Sequence, residues 1–83
     1  MQRVAIISAV LDEPLRCQRA FNDTIAEYRY LVKGRMGVPM PDHDLALISI
    51  VTMGNKDDID RLTNKLGRID GVSVKTAMSQ KEY

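Results

Sequence analysis

The stretch YLVKGRMGVPMPDHDLALISIV, from Tyr30 to Val51, decides the fold. It begins with a basic segment broken by two glycines and ends in an almost wholly apolar one. Between the two lie two prolines and the only histidine of the chain, His43. Prolines and short polar residues such as aspartate are typical of turns. The stretch therefore predicts a β-hairpin, with strands at Val32–Val38 and Leu45–Met53.

A strand and a helix precede this hairpin. Arg3–Val10 is rich in valine and isoleucine and predicts the first strand. Asp12 is predicted to be the N-cap of a helix, with Pro14 in the first turn, where its missing N–H does no harm. Apolar or neutral side chains then recur at helical spacing and predict one buried stripe, formed by Cys17, Phe21, Thr24, Ile25, Tyr28 and Leu31.

A second helix and a fourth strand follow the hairpin. Asn55 is predicted to cap this helix with Asp58 as its partner three residues later, and Val72–Met78 alternates as a strand. The order β-α-β-β-α-β is typical of an α+β, ferredoxin-like sandwich, with a four-stranded antiparallel sheet and two helices on one face. We expect a single domain, residues 1–83. The apolar stripe of the second helix is Ile59, Leu62, Leu66 and Ile69.

The two central strands of this fold predict an assembly. With the usual strand order four, one, three, two, the first and third strands are central, and both carry apolar residues on both faces. Two helices cover only one face, and soluble monomers rarely leave a large apolar face bare. We therefore expect a homo-oligomer, a dimer or a tetramer, in which another copy covers the open face. The interface candidates are Ile6, Ile48 and Ile50.

Length, charge and cysteine content exclude several classes of protein. The 83 residues carry a net charge of +1 with the two signs interspersed, which argues against direct nucleic-acid binding. The longest apolar run, Val4–Leu11, is too short to cross a bilayer. The N-terminus lacks the small-residue cleavage site of a signal peptide. Together with one free cysteine, these features predict a cytoplasmic protein without membrane association.

No set of side chains in the sequence supports catalysis. His43 in a turn and Cys17 on a helix cannot supply the nucleophile, base and orienting group of covalent catalysis, or the ligands of a closed metal site. Asp42-His43-Asp44 could hold a divalent ion weakly, but a solvated turn is favoured. Packing is favoured over reactivity for Cys17. We therefore expect no enzyme, no catalytic residue, no bound metal and no cofactor.

The glycine-broken strand is the remaining candidate site. Gly34 and Gly37 flank Arg35 and Met36, and glycine within a strand often marks a bulge or a close backbone approach. An edge strand protected from aggregation by charge, glycine and proline explains the pattern. The alternative is a contact with a small ligand or another subunit beside Arg35. The ligand or interface candidates are Gly34, Arg35, Met36 and Gly37.

Four segments resemble those of one known family. They are GRMGVP at Gly34–Pro39, LISIV at Leu47–Val51, LTNKLGR at Leu62–Arg68 and GVSVK at Gly71–Lys75. Over nearly the whole chain, the sequence resembles the iron-only hydrogenase system regulators. The resemblance implies a small ACT-like protein, similar to the ligand-sensing domain of nickel-responsive repressors and associated with hydrogenase genes.

Two departures limit what the resemblance implies about ligands. ACT domains that bind amino acids have aspartate, proline and glycine where the chain enters the first helix. Here Asp12 and Pro14 are present, but Leu15 follows Pro14 in place of glycine. The nickel repressors bind their metal with several histidines and a cysteine. His43 and Cys17 are the only such residues here, so that nickel site cannot be transferred to this chain. The sequence thus predicts a non-enzymatic regulatory or ligand-sensing module of the iron-only hydrogenase system, with an unknown small ligand or protein partner. The alternative is a structural or protein-interaction accessory that binds no small molecule.

Overall fold

The computed structural model describes all residues from Met1 to Tyr83. Four strands and two α-helices follow one another in the predicted order, with short 3-10 turns on either side of the second strand. The elements are β1 (Arg3–Asp12), α1 (Pro14–Glu27), a turn (Arg29–Leu31), β2 (Val32–Met40), a turn (Pro41–His43), β3 (Leu45–Gly54), α2 (Lys56–Gly67) and β4 (Val72–Met78). Neither α-helix combines the length and the apolar character needed to span a bilayer.

The four strands form one antiparallel sheet in the order β2-β3-β1-β4. This confirms the α+β, ferredoxin-like fold and the central position of β1 and β3. The β1–β3 pair is in register along the whole of both strands, with Ile7 opposite Ile50 at its middle. Both α-helices pack on the same face of the sheet, since the buried residues of α1 and α2 join one core with the buried residues of β1.

The core forms where the two helical stripes meet alternate residues of the central strands. Side chains of β1 are buried at every second position, so Ala5, Ile7, Ala9 and Leu11 lie under the helices while their neighbours do not. Burying a side chain of the size of Leu or Phe stabilises the folded state by about 1.5–3 kcal/mol relative to leaving it exposed. The largest apolar members of this core are Ile7, Leu11, Phe21, Leu31, Ile50, Ile59, Leu62 and Leu66.

The two helices begin in different ways. The α2 cap is as predicted: the Asn55 side chain accepts a hydrogen bond from the Asp58 N–H at 2.8 Å, and the Asn55 amide donates to the Asp58 carboxylate at 3.1 Å. The prediction for α1 is wrong by one residue. Asp12 is the last residue of β1, and the N-cap is Glu13, which has a left-handed backbone (φ 51°) and no side-chain capping bond. Pro14 does occupy the first turn of α1.

Glu13 takes this backbone because β1 is longer than predicted. Backbone pairing continues to Asp12, whose N–H donates to the Gly71 carbonyl at 2.7 Å, and the Glu13 N–H donates to the Asp44 carbonyl at 2.9 Å. Glu13 is therefore the only residue between the end of β1 and the start of α1, and the chain must change direction there. Gly71 has φ 86°, and a Cβ at this position would lie 3.0 Å from the Asp12 carbonyl oxygen. Glycine is therefore required at Gly71 for the start of β4 to approach the end of β1.

The structure places two of the three interface candidates, Ile48 and Ile50, on β3 beneath the helices. Ile50 is fully buried beneath the helices, and Ile48 is half-buried and packs against the same core. Their side chains therefore lie on the helix-covered face. Ile50 belongs to the core of a single chain and is not available to another copy, whereas Ile6 lies on the uncovered side and is 45% exposed.

Candidate functional site

The helices leave one side of the sheet uncovered, and we call this side the open face. It consists of the side chains that alternate with the buried ones on β1 and β3, with the residues paired to them on the edge strands. Its central members are Gly34, Met36 and Val38 of β2, Leu47, Ser49 and Val51 of β3, Ile6, Ser8 and Val10 of β1, and Ser73, Lys75 and Ala77 of β4.

The strand register groups these residues into three rows across the sheet. In the central row, Ser49 faces Ser8, and Ser8 in turn faces Lys75. Met36 completes this row on β2. The flanking rows are mainly apolar; they are Gly34, Val51, Ile6 and Ala77 on one side, and Val38, Leu47, Val10 and Ser73 on the other. The open face is therefore an apolar surface crossed by a central row with two hydroxyl groups and one ammonium group, and Ser73 adds a third hydroxyl in a flanking row.

Large apolar side chains are exposed together on this face. Val51 and Val10 are each 40% exposed, whereas Ile7 and Ile50 on the opposite face are fully buried. Single exposed apolar residues are ordinary, whereas a large contiguous apolar patch is uncommon on soluble monomers. The exposed apolar residues of the open face are Ile6, Val10, Met36, Val38, Leu47 and Val51.

An open groove of about 440 Å³ lies on this face, over β1, β3 and β4. Ligand-binding clefts commonly measure about 300–1,000 Å³ and combine apolar walls with a few polar groups that fix orientation. The groove has both properties. The members of the open face that line it are Ser8, Val10, Leu47, Ser49, Ser73 and Lys75.

Lys75 is the one charged residue among those that line the groove. It takes part in none of the five ion pairs of the structure. On β1, β3 and β4, the alternation of side chains places only one carboxylate on the same face, that of Asp12 at the far end of β1. Lys75 is exposed, and its ammonium group has no ion-pair partner within the chain.

The predicted candidates on β2 lie on both sides of the sheet. Gly34 and Met36 belong to the open face, while Gly37 pairs with Ile48 and lies on the helix side. The register of β2 shifts between Val32 and Gly34, which interrupts the regular pairing with β3 next to the first glycine. All four candidates are exposed, and β2 is an edge strand.

Arg35 makes contacts within its own chain. Its guanidinium lies 5.9 Å from the centroid of the Phe21 ring and donates a hydrogen bond to the Asn22 side chain at 3.1 Å. This geometry is that of a cation–π contact between β2 and α1. The Arg35 side chain is thus held on the helix side of the sheet, away from the groove.

His43 and Cys17 have different environments. His43 is exposed in the 3-10 turn before β3. Cys17 is buried, and its thiol lies 3.7 Å from the Asp12 carbonyl oxygen. Burial, and next the negative charge of Asp12, raise the pKa of the Cys17 thiol, so it stays protonated at neutral pH. No cluster of three or more His, Cys, Asp or Glu side chains could hold a metal ion.

The groove residues were not predicted as a site. Ser8 and Ser49 are visible in the sequence as single hydroxyl residues inside two apolar strands. They lie opposite one another only because β1 and β3 pair at this register. The signal that could have found them is the matching serine at the middle of each central strand.

Comparison with known families decides the classification. Residues 3–76 match the family described as "TM1266-like: Iron-only hydrogenase system regulator, putative". The chain belongs to this family. The match confirms the resemblance carried by segments such as Gly34–Pro39, and it includes every residue that lines the groove.

Two solved structures are similar to this member of the iron-only hydrogenase system regulator family. The uncharacterized protein TM1266 from Thermotoga maritima has a TM-score of 0.91 at 29% identity, covering 96% of this chain and 100% of that chain. SnoaB, a cofactor-independent oxygenase from Streptomyces nogalater, has a TM-score of 0.59 at 11% identity, covering 100% of this chain and 96% of that one. The likeness to SnoaB concerns the fold alone. No curated protein matches the sequence.

Proposed function

We propose that this chain is a non-enzymatic regulatory module of the iron-only hydrogenase system, and that it acts as a homo-oligomer in which the open face of one copy packs on that of another. Family membership supports the regulatory role. The observation that carries the assembly is the set of exposed apolar side chains on the open face, including Ile6, Val10 and Val51. Their burial against another apolar face is favourable by about 25 cal/mol per Å².

The dimensions of the sheet support the same assembly. Strands about 4.8 Å apart that each present about seven residues, with a rise of about 3.4 Å per residue, make a face of roughly 450 Å². Two such faces stacked about 10 Å apart bury roughly 900 Å² in projection, close to the smallest interfaces of specific complexes. Most of the open face must therefore take part, so a small molecule on this face would lie between the two copies. A charge introduced into one of its apolar rows is expected to prevent the contact.

Two-fold symmetry suits this surface. A two-fold contact uses the same patch on both copies, so that patch must be complementary to itself. The open face meets this condition because its two apolar rows can pack on the apolar rows of a second copy, leaving the central polar row between them. A dimer is the simplest assembly of this kind, and a tetramer needs one further contact.

The environments of the two most reactive side chains support a non-enzymatic role. Cys17 is buried, and its raised pKa makes it a poor nucleophile. His43 is exposed in a turn, while Cys17 lies in the core beneath α1. We infer that the protein acts by binding, as a sensor that passes its signal to a protein partner.

The groove favours ligand sensing over an accessory that binds no small molecule. A face used only as packing between copies gains nothing from Ser8 and Ser49 at its centre or from Lys75 on its edge strand, because polar groups in the contact must be desolvated. A face that also holds a small molecule uses such groups to orient it. The alternative role would be favoured if replacing these groups by apolar ones strengthened the assembly and no ligand bound.

The assembly is tested by introducing one charge on the open face and one elsewhere. Ile6→Asp places a carboxylate among apolar side chains at the proposed interface, where an unpaired ion costs several kcal/mol. We expect this variant to be a folded monomer by light scattering and circular dichroism. Leu15→Asp is the control, since Leu15 is 86% exposed on α1, and it should keep the wild-type mass.

Two results would contradict the proposed assembly. One is an Ile6→Asp protein that remains folded and keeps the mass of the wild type. The other is a loss of assembly in Leu15→Asp but not in Ile6→Asp, which would move the contact to α1. If Ile6→Asp does not fold, Val51→Lys replaces it in the test, because it places a charge at the neighbouring position of the same row.

A further inference from the structure

We propose that the groove of the open face binds a small amphipathic carboxylate, with its apolar body on Val10 and Leu47 and its carboxylate at Lys75. This inference rests on the proposed function, because it names the class of ligand that the regulatory module senses. It goes beyond that function in assigning Lys75 as the residue that recognises the charge.

The sign of the ligand follows from the charges around the groove. Lys75 supplies the one charge among the lining residues and has no ion-pair partner in the chain. An ammonium group is a compact point charge with three donors, and it binds carboxylates through charge-assisted hydrogen bonds. One uncompensated positive charge matches one negative charge, so a monocarboxylate neutralises the site.

The apolar part of the ligand follows from the flanking rows. Val10 and Leu47 face one another across β1 and β3 and are both partly exposed. They lie one row away from Ser8 and Lys75. An acid with no apolar body would leave these side chains uncovered. An alcohol of the same length would leave Lys75 uncompensated.

The serines add directional contacts between the two regions. Ser8 and Ser49 face one another in the central row, and Ser73 lies opposite Val10 on β4, two residues before Lys75. A hydroxyl donates one hydrogen bond and accepts others. The serines can thus donate to the carboxylate oxygens that Lys75 leaves free.

Assembly and ligand binding are expected to reinforce one another. A second copy packed on the open face brings Lys75 close to an apolar interface, where an uncompensated charge is unfavourable. Lys75 is on the edge strand β4, so its long side chain can keep the ammonium group at the rim. A carboxylate bound between the two copies neutralises this charge, and its apolar body fills the groove that the second copy covers. The ligand should therefore stabilise the oligomer as well as the chain.

The test uses octanoate as the probe, with octanol and acetate as controls that lack the charge or the apolar body. The proteins are the wild type, Lys75→Gln and the control Lys56→Gln, which removes a lysine paired with Asp60 on α2. Binding is followed by the shift of the thermal midpoint and by the amide NMR signals of Ser8, Ser49 and Ser73. The mass of each protein is measured without the probe.

We expect octanoate to raise the midpoint of the wild type and to move the signals of the three serines. Octanol and acetate should have much smaller effects. Lys75→Gln should weaken octanoate binding by about tenfold or more, as expected from the loss of a charged hydrogen bond. Lys56→Gln should bind like the wild type.

Three results would overturn the inference. They are the absence of octanoate binding, equal binding of octanol and octanoate, and octanoate binding that is unchanged in Lys75→Gln. Any of these in an oligomeric wild type leaves the proposed assembly intact. A monomeric wild type that binds octanoate through Lys75 would instead support the ligand site and contradict the assembly.

Discussion

Gly54, the last residue of β3, lies against Leu31 in the segment before β2. A Cβ added at this position would overlap the Cδ2 methyl of Leu31. Leu31 is itself fully buried in the core, so it has little room to move aside. The contact explains why a strand that is otherwise rich in branched side chains ends in glycine.

Replacing Gly54 is therefore expected to destabilise the fold. Gly54→Ala should lower the free energy of unfolding by about 1–3 kcal/mol, the usual cost of overpacking a core. The measurement is urea denaturation followed by circular dichroism. Gly37→Ala is the matched control, because its Cβ would meet Ile48 Cγ1 at an ordinary 3.9 Å. Equal stability of the two variants would show that Leu31 repacks freely.

Cys17 gives a prediction about alkaline pH. Burial raises the pKa of its thiol above the ordinary 9.0, so above that pH the unfolded chain loses the proton while the folded chain keeps it. The free energy of unfolding should therefore fall as pH rises from about 9 through the folded-state value. Other groups titrate in the same range, so the comparison is with Cys17→Ala.

The stability difference between the wild type and Cys17→Ala is the quantity to measure. This difference should be constant below the ordinary thiol pKa. Above it, the wild type should lose stability relative to Cys17→Ala as pH rises. Iodoacetamide should also modify Cys17 far more slowly in the folded protein than in urea, since the thiolate is the reactive form. A difference independent of pH, with rapid modification of the folded protein, would contradict the buried thiol.

Residue-scale features could be predicted where a side chain acts on its own neighbours. The Asn55 cap is such a case, because its partner Asp58 is three residues away. The Glu13 cap could not be predicted. It depends on how far β1 pairs with Gly71 and Asp44, which are distant in sequence.

At the scale of the elements, α2 depends on its cap. Asn55→Ala removes the side-chain acceptor for the Asp58 N–H and should cost about 1 kcal/mol of stability. Asn64→Ala is the control, since Asn64 is exposed within α2 and alanine is the better helix former. Thermal denaturation should show a lower midpoint for Asn55→Ala alone. A midpoint equal to that of the wild type would mean that the cap does not limit stability.

The order of the elements could be predicted almost completely, whereas the orientation of β3 could not. Hydrophobic periodicity separates helices from strands because the two have different periods. The periodicity of β3 says little about orientation, since Leu45–Gly54 is apolar at both sets of alternate positions. Either set could have faced the helices, so the sequence alone cannot separate the core residue Ile50 from the interface candidates.

At the scale of the molecule, the open face joins the fold to the proposed function. An apolar face could be predicted from sequence, because both central strands are apolar on both sides. The arrangement of Ser8, Ser49 and Lys75 into one row could not, since it needs the register of three strands. The same face is proposed to hold another copy of the chain and a small carboxylate.

The mass of the wild-type protein in solution tests the central claim most directly. Light scattering at micromolar concentration should give an even multiple of the 9.4 kDa chain, because the exposed apolar rows of the open face are covered by another copy. A mass of 9.4 kDa at every concentration measured would contradict the account, since the open face would then be bare in solution.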